Sequence, residues 1–335
     1  MNSVKVEDLV GRIENERVAL APVRDIEFSD DGLKVPNIEG PLVVDDWATK
    51  KLGGFLDVPW RYLQKCPSNF KEETVNFWLQ SRSEQEAYVH YRGSDLLGIY
   101  PNTDSIVTHS DLARRFLERF DGQDDVREYH VTPEILQLDV TSPGLNVLVP
   151  TRDRQGIDPQ VGDVTDGGIR LVAYAPNDSR RPYVQYYLHR LVCSNGMTME
   201  EPTARFYGKG KTRGEIVDSL STVVSDMLQL VPSKLENYAS LDDHAFDGNI
   251  TALIARLAKE NGIANRVLDK LLEDAASLPD EPSLYDIANV FTYTANHVLR
   301  GTRMKLQSLG GWVVESPQSI IHRCTRCEQV LTDAS

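Results

Sequence analysis

Residues 169–196 carry the pattern that most limits how this chain can fold. Two runs rich in β-branched and aromatic residues, 169–174 and 183–192, flank a short segment of Pro, Asn, Asp and Ser. Such runs, separated by residues that favour turns, predict a β-hairpin. Its return strand places Tyr183, Gln185, Tyr187 and His189 on one face. Both faces carry bulky side chains, so one must cover a core while the other is either covered or used for binding.

The spacing of apolar residues changes near residue 213. Before this point the chain contains strand-like runs with interspersed helices, and after it apolar residues recur at helical spacing, as in Ile216, Leu220 and Val224. The pattern predicts an α+β fold: a mixed, mainly antiparallel sheet with helices in the first part, then a helical C-terminal part. We predict a peripheral N-terminal segment (1–44), an α/β sheet domain with the basic, aromatic hairpin (45–213), a helical region packing on it (214–315) and a C-terminal tail (316–335).

Composition limits the class of protein and its surroundings. The net charge is −14, and no apolar run approaches the roughly 20 residues that a bilayer-spanning helix needs. The N-terminal residues lack the basic and then apolar pattern of a signal peptide. Four cysteines in 335 residues do not indicate a disulfide framework. We therefore expect a cytoplasmic protein without a membrane partner.

The hairpin and the loop beyond it form a basic segment in an otherwise acidic chain. Between Arg170 and Arg213 there are eight basic residues and three acidic ones. Cations beside aromatic rings are typical of single-stranded nucleic-acid sites, in which bases stack on the rings and phosphates contact the cations. A solvated hairpin that simply carries arginines is the plainer interpretation. The predicted nucleic-acid-binding residues are Arg170, Arg180, Arg181, Tyr183, Tyr187, Arg190, Lys209, Lys211 and Arg213.

Known catalytic motifs are missing from the sequence. Residues 208–212, Gly-Lys-Gly-Lys-Thr, resemble the end of a phosphate-binding P-loop, but the position that needs glycine is Arg205. What remains is a basic loop before a helix, a place that suits a phosphate. Cys324 and Cys327, preceded by His322, have the spacing of half a zinc site, and the second half is missing. We predict no catalytic residues, no cofactor and no metal, with this cysteine pair as a weak candidate.

One motif resembles a known family. Arg190-Leu-Val-Cys-Ser-Asn-Gly-Met197, preceded by a Gly-Ile-Arg strand and a Tyr-rich strand, resembles the phage- and plasmid-related family of domains of unknown function. Residues 56–79 also look like the N-terminal part of such proteins, and the resemblance covers roughly residues 50–310. The family often follows its motif with a His-containing segment, whereas residues 204–211 here contain no histidine. The resemblance implies a bacteriophage or mobile-element protein of DNA metabolism.

Three hypotheses follow. The first is a non-enzymatic protein that binds single-stranded DNA and aids recombination or annealing, with a ring or filament of copies multiplying a weak site. The second is a module that binds a host or phage protein, which the acidic body and the apolar C-terminal helices suit equally well. The apolar stripes of those helices are most simply core, but apolar surface near Leu306, Leu309, Trp312 and Val313 also suits a contact between copies of the chain. The third is an enzyme of unrecognised type, with a site around His189, Arg190, Cys193 and Asn195.

Overall fold

The computed structural model describes residues 4–5, 9, 16–101, 106–121, 124–149, 163–176, 178–190, 195–198, 205–279 and 281–317. For residues 4–5, 163, 190 and 195–198 only the main chain is described. Helices and antiparallel sheets are both present, and every sheet strand of the described residues lies before residue 212, with helices following it. The predicted α+β class is confirmed.

The N-terminal part contains a three-stranded antiparallel sheet, a small hairpin and three helices. The sheet has the order β2 (Glu16–Pro22), β5 (Glu86–Arg92), β6 (Asp95–Pro101), and the hairpin pairs β3 (Glu27–Ser29) with β4 (Gly32–Lys34). The helices are α1 (Asp46–Leu56), α2 (Trp60–Lys65) and α3 (Ser68–Gln80). These elements surround the first of two hydrophobic cores.

The prediction that residues 1–44 are peripheral is wrong for residues 16–44. Val23, Ile26, Phe28, Leu33 and Leu42 are all buried in the first core, beside apolar side chains of α1, α3 and β5. The reason lies in pairing between distant segments: β2 aligns with β5, about 70 residues later, from Glu16 opposite Arg92 to Pro22 opposite Glu86. In a strand of seven residues, the alternation of apolar and polar side chains is too short to predict which distant strand pairs with it.

A larger antiparallel sheet forms the centre of the molecule. Its order is β1-β7-β8-β9-β10-β11, with β12 also paired to β10. The strands are β1 (Val4–Lys5), β7 (Asp125–Val131), β8 (Ile135–Val149), β9 (Asp163–Tyr174), β10 (Tyr183–Arg190), β11 (Asn195–Thr198) and β12 (Phe206–Tyr207). The hairpin that the sequence predicts is β9–β10, in which Arg170 lies opposite Gln185.

One face of the larger sheet is apolar and is covered by two helices. Leu138, Leu171 and Val184 lie opposite one another on β8, β9 and β10 and are fully buried. Helices α4 (His109–Leu117) and α5 (Arg213–Ser240) pack on this face, with Phe116 and Val224 in the same core. The face of the hairpin that carries Val184 therefore covers the core.

The C-terminal helices complete the second core. They are α6 (Ile250–Glu260), α7 (Asn265–Ala275), α8 (Leu284–Ala295) and α9 (Arg300–Glu315). Leu306, Leu309 and Val313 are buried, because α9 packs along α8. The prediction that they leave an apolar surface for another subunit is therefore wrong. None of the helices in the described ranges is both long and apolar enough to cross a membrane.

Candidate nucleic-acid interface

Arg170, which the sequence predicts to bind nucleic acid, lies inside the protein. Its side chain is completely buried, with Nε donating to Asp139 Oδ1 at 2.6 Å and Nη2 donating to Oδ2 at 2.5 Å. Nη1 donates to Gln307 Oε1 of α9 at 2.9 Å. Burial by itself would lower the pKa of the guanidinium, but the charge and hydrogen bonds of Asp139 outweigh it, so that pKa is raised. The assignment of Arg170 to a nucleic-acid surface is wrong.

Tyr183 and Tyr187 are buried as well. They are 3% and 2% exposed, and the central carbon of the Arg170 guanidinium lies 5.0 Å from the centre of the Tyr187 ring. Neither ring can stack on a base in this structure, so both are removed from the predicted interface.

These side chains are buried because α9 covers the face of the large sheet on which they lie. A polar row crosses four strands in register, from Glu128 on β7 through Asp139 and Arg170 to Gln185 on β10. Helix α9 supplies matching polar groups: besides Gln307, Arg303 donates to Glu128 at 3.2 Å, and Arg300 donates to Gln137 at 2.6 Å. The second bulky face of the hairpin is thus an internal polar layer rather than a binding surface. The covering groups lie more than 100 residues away, so the local sequence pattern contained no signal for them.

Arg180 and Arg213, two of the other predicted cations, lie at the surface and are held by carboxylates. Arg180 donates to both oxygens of Asp178 at 2.9 Å, and its guanidinium lies 3.7 Å from the centre of the Tyr174 ring. This hydrogen bonding is the main reason why the pKa of Asp178 falls to about 2. Arg213 pairs with Asp111 of α4. These two arginines are exposed but are engaged within the protein.

Arg181, Lys209 and Lys211 are exposed and form no ion pair within the described part of the chain. They belong to two loops that β12 brings together. Strand β12 pairs with the start of β10, and the Gly208 N–H donates to the Pro182 carbonyl oxygen at 2.8 Å. Arg181 therefore lies next to the loop that holds Lys209 and Lys211. We call Arg181, Tyr207, Lys209 and Lys211 the end patch, after its place at this end of the sheet.

Lys51 of α1 lies near the same end of the sheet. The pKa of the Lys51 ammonium group is lowered mainly by burial. The charge of Asp178 raises this pKa and the charge of Arg180 lowers it, so both groups lie near Lys51. Its Nζ lies 4.7 Å from the centre of the Trp47 ring. The N-terminal part of the fold thus adds a cation and a half-buried aromatic ring near Asp178 and Arg180. Local sequence patterns give no signal for this, because Lys51 and Trp47 are about 130 positions from the hairpin.

The N-terminus of α5, which the sequence suggests as a phosphate position, is occupied by the protein itself. Thr212 caps the helix, and Glu215 closes a capping box with it. The Glu215 carboxylate accepts hydrogen bonds from the backbone N–H groups of Lys211, at 2.7 Å, and Thr212, at 3.3 Å. Glu215 thus already occupies two donors that an anion would use, and a phosphate there would have to displace its carboxylate from them.

Several predicted residues lie outside the description. The main chain of Arg190 pairs with Asn195 between β10 and β11, and nothing more of Arg190 is described. Cys193, Cys324, Cys327 and His322 are outside the described residues. Among the residues that are described, no group of three His, Cys, Asp or Glu side chains could hold a metal ion. His189 of the third hypothesis lies opposite Asp166, and its pKa falls to about 4 because of burial and the charge of Arg127.

A buried polar cluster, which the sequence analysis missed, joins the small sheet to α4. Glu16 accepts from Arg92 at 2.6 Å, lies 3.1 Å from His90 Nε2 and faces His109 at the start of α4. Burial would raise the pKa of Glu16, but His90, His109 and Arg92 lower it to about 2. Burial lowers the pKa of His109 to about 4. These residues are spread over about 90 positions and form no motif, so only the fold brings them together.

Comparison with models of protein families, with curated proteins and with solved structures finds no match to this chain. The fold and the exposed residues therefore define the class only as an α+β protein with a small basic patch at one end of its central sheet. The family resemblance of the Cys-Ser-Asn-Gly motif stays a prediction.

Proposed function

We propose that this chain is a non-enzymatic, cytoplasmic protein of phage or mobile-element DNA metabolism that binds single-stranded nucleic acid at the end patch. One observation carries the proposal: the loop that contains Arg181 meets the loop of residues 209–211. Three cations that form no ion pair with any described residue therefore lie beside an exposed tyrosine. The patch differs from the one that the sequence predicts, since Tyr207 replaces the buried Tyr183 and Tyr187.

The charges around the end patch favour a polyanion. Among the described residues, three carboxylates near the patch have partners: Asp178 binds Arg180, Asp111 binds Arg213, and Glu215 caps α5. Glu134, whose charge acts on Arg180 and Lys51, also lies at this end of the sheet. Within the described part of the chain Arg181, Lys209 and Lys211 form no ion pair, so they can contact phosphates without first breaking one. The acidic remainder of a chain with a net charge of −14 repels nucleic acid and confines it to this patch.

The test is binding of a fluorescently labelled oligothymidine strand, measured by anisotropy at low and at physiological salt. The triple variant Arg181→Ala, Lys209→Ala, Lys211→Ala should bind at least tenfold more weakly. A charge-matched control, Arg24→Ala, Lys34→Ala, Arg266→Ala, removes three exposed cations elsewhere and should bind nearly as the native protein does. Absence of binding at low salt, or an equal loss in both variants, would exclude this function.

A specific surface favours the second candidate function, binding of a host or phage protein. Helix α3 buries Val75 and Leu79, while Phe70, Phe77 and Trp78 are 55%, 67% and 38% exposed on its other side. Exposed aromatic side chains grouped on one helix are typical of protein–protein contacts. A stoichiometric partner retained from host lysate by the native chain, and lost with Phe70→Ser, Phe77→Ser, would favour this alternative. Retention that survives both substitutions would count against it.

A further inference from the structure

We infer that Tyr207 is the side chain of the end patch on which an unpaired base stacks, so that this one ring makes the patch select single strands over duplexes. The inference rests on the proposed function and names the residue that distinguishes the two nucleic-acid forms. Neither the sequence pattern nor the family resemblance assigns a role to Tyr207.

The position of Tyr207 is set by the sheet rather than by a loop. It lies on β12, directly opposite Tyr183 of β10. The two ring centroids are 5.6 Å apart with an angle of 53° between the planes. Tyr183 is 3% exposed, whereas Tyr207 is 43% exposed. A buried ring thus supports an exposed one, and stacking on a ring that is already held in place loses little conformational entropy.

The neighbouring cations are placed for the phosphates of the same strand. Lys209 follows Tyr207 by two residues, and Arg181 precedes Pro182, whose carbonyl oxygen binds the Gly208 N–H. A base on the Tyr207 ring would therefore bring the adjoining backbone between the two loops. In a duplex the bases are paired and stacked inside, so only the phosphate contacts would remain. Stacking needs the ring and not the hydroxyl, which separates this role from a hydrogen-bonding one.

The experiment compares strands with and without bases. Anisotropy measures binding of labelled oligothymidine, of an abasic deoxyribose-phosphate strand of the same length and of a duplex. The variants are Tyr207→Ala, Tyr207→Phe and a matched control, Tyr293→Ala, which removes a tyrosine that is 44% exposed on α8. Circular dichroism and the unfolding midpoint establish that each variant is folded.

The native protein should bind oligothymidine roughly five- to hundredfold more tightly than the abasic strand. Tyr207→Ala should lose that preference while binding the abasic strand as the native protein does. Tyr207→Phe and Tyr293→Ala should keep it. Equal native affinity for both strands would overturn the inference, as would an unchanged preference in Tyr207→Ala. If either result is found while the abasic strand still binds, the stacking role of Tyr207 fails but the proposed function is kept. If no strand binds at all, the proposed function itself is excluded. Equal native affinity for the two strands would overturn the inference even where Tyr207→Ala fails to fold.

Discussion

Arg170 and Asp139 face each other across β9 and β8 and form a two-bond ion pair with no exposed surface. The pair is the centre of the polar layer between the large sheet and α9, because Gln307 also binds Arg170. A buried ion pair is costly to break from one side, since the remaining charge has neither water nor a partner.

We therefore expect Asp139→Asn to destabilise the protein by about 3–5 kcal/mol. The double variant Arg170→Met, Asp139→Leu should lose much less, because both charges leave together. Urea unfolding followed by circular dichroism measures both. Arg115→Met, which removes an exposed arginine bound to Glu118, serves as the control and should change the free energy of unfolding little, because exposed ion pairs contribute little to stability. Equal losses in the single and double core variants would contradict the interpretation.

Acid should destabilise the protein below about pH 6.5. His109 has a pKa of about 4 in the folded state and an ordinary value of 6.5, so the unfolded chain binds its proton more readily. The stability due to neutral His109 is present above pH 6.5 and is lost as the pH falls towards 4, by about 3 kcal/mol in all. Glu16, with a pKa of about 2, extends the loss from pH 4.5 downwards.

The measurement is the free energy of unfolding in urea between pH 4 and 8, for the native protein and for His109→Asn. In the variant the free energy of unfolding should decline less steeply between pH 6.5 and 4, because the folded and unfolded states no longer differ in proton binding at position 109. His189, whose pKa is also about 4, keeps part of the slope in both proteins. An identical slope in the two proteins would mean that His109 does not contribute to it.

Two glycines near the end patch should respond oppositely to alanine. Gly210 has φ of 144°, and a Cβ there would collide with Glu215, so Gly210→Ala should cost about 1–3 kcal/mol. Gly214, in the first turn of α5, faces open space and has an ordinary helical backbone. Gly214→Ala should stabilise the protein by about 0.5–1 kcal/mol. Thermal unfolding distinguishes the two, and a stabilising Gly210→Ala would refute the loop geometry.

Binding at the end patch should depend steeply on salt. Each phosphate contact on a single strand contributes about −0.7 to the slope of log K against log salt concentration. Removal of the three cations by Arg181→Ala, Lys209→Ala, Lys211→Ala should therefore make the slope shallower by about 2. Titrations at four salt concentrations measure it. A slope that stays the same would place the phosphate contacts elsewhere on the molecule.

Local sequence patterns indicate where several helices and strands lie, because the spacing of apolar residues shows which side of an element is buried. Val75 and Leu79, which are four residues apart and so lie on one side of a helix, are both buried in α3, Ser68–Gln80. Asp57 shows the limit of such signals. Aspartate is a common N-cap residue, but Asp57 ends α1 in the left-handed conformation, with φ of 57°. A short polar residue two positions before a proline suits both positions, so the local sequence does not distinguish them.

The candidate site was predictable in part. Arg181, Lys209 and Lys211 were found from composition, because loops are exposed wherever they run. Sequence patterns gave no signal for Tyr207, Lys51 or the Glu16 cluster. The neighbours of these residues depend on which distant segments of the chain pair with each other.

The sequence by itself determined the α+β class, the β9–β10 hairpin and the acidic character of the chain, because alternation, helical spacing and charge are properties of neighbouring residues. The tertiary structure alone decided that Arg170, Tyr183 and Tyr187 are interior groups. Both faces of the hairpin are bulky, and burial of the polar face requires partners such as Gln307, which is 137 positions from Arg170 and arrives only when α9 packs on the sheet.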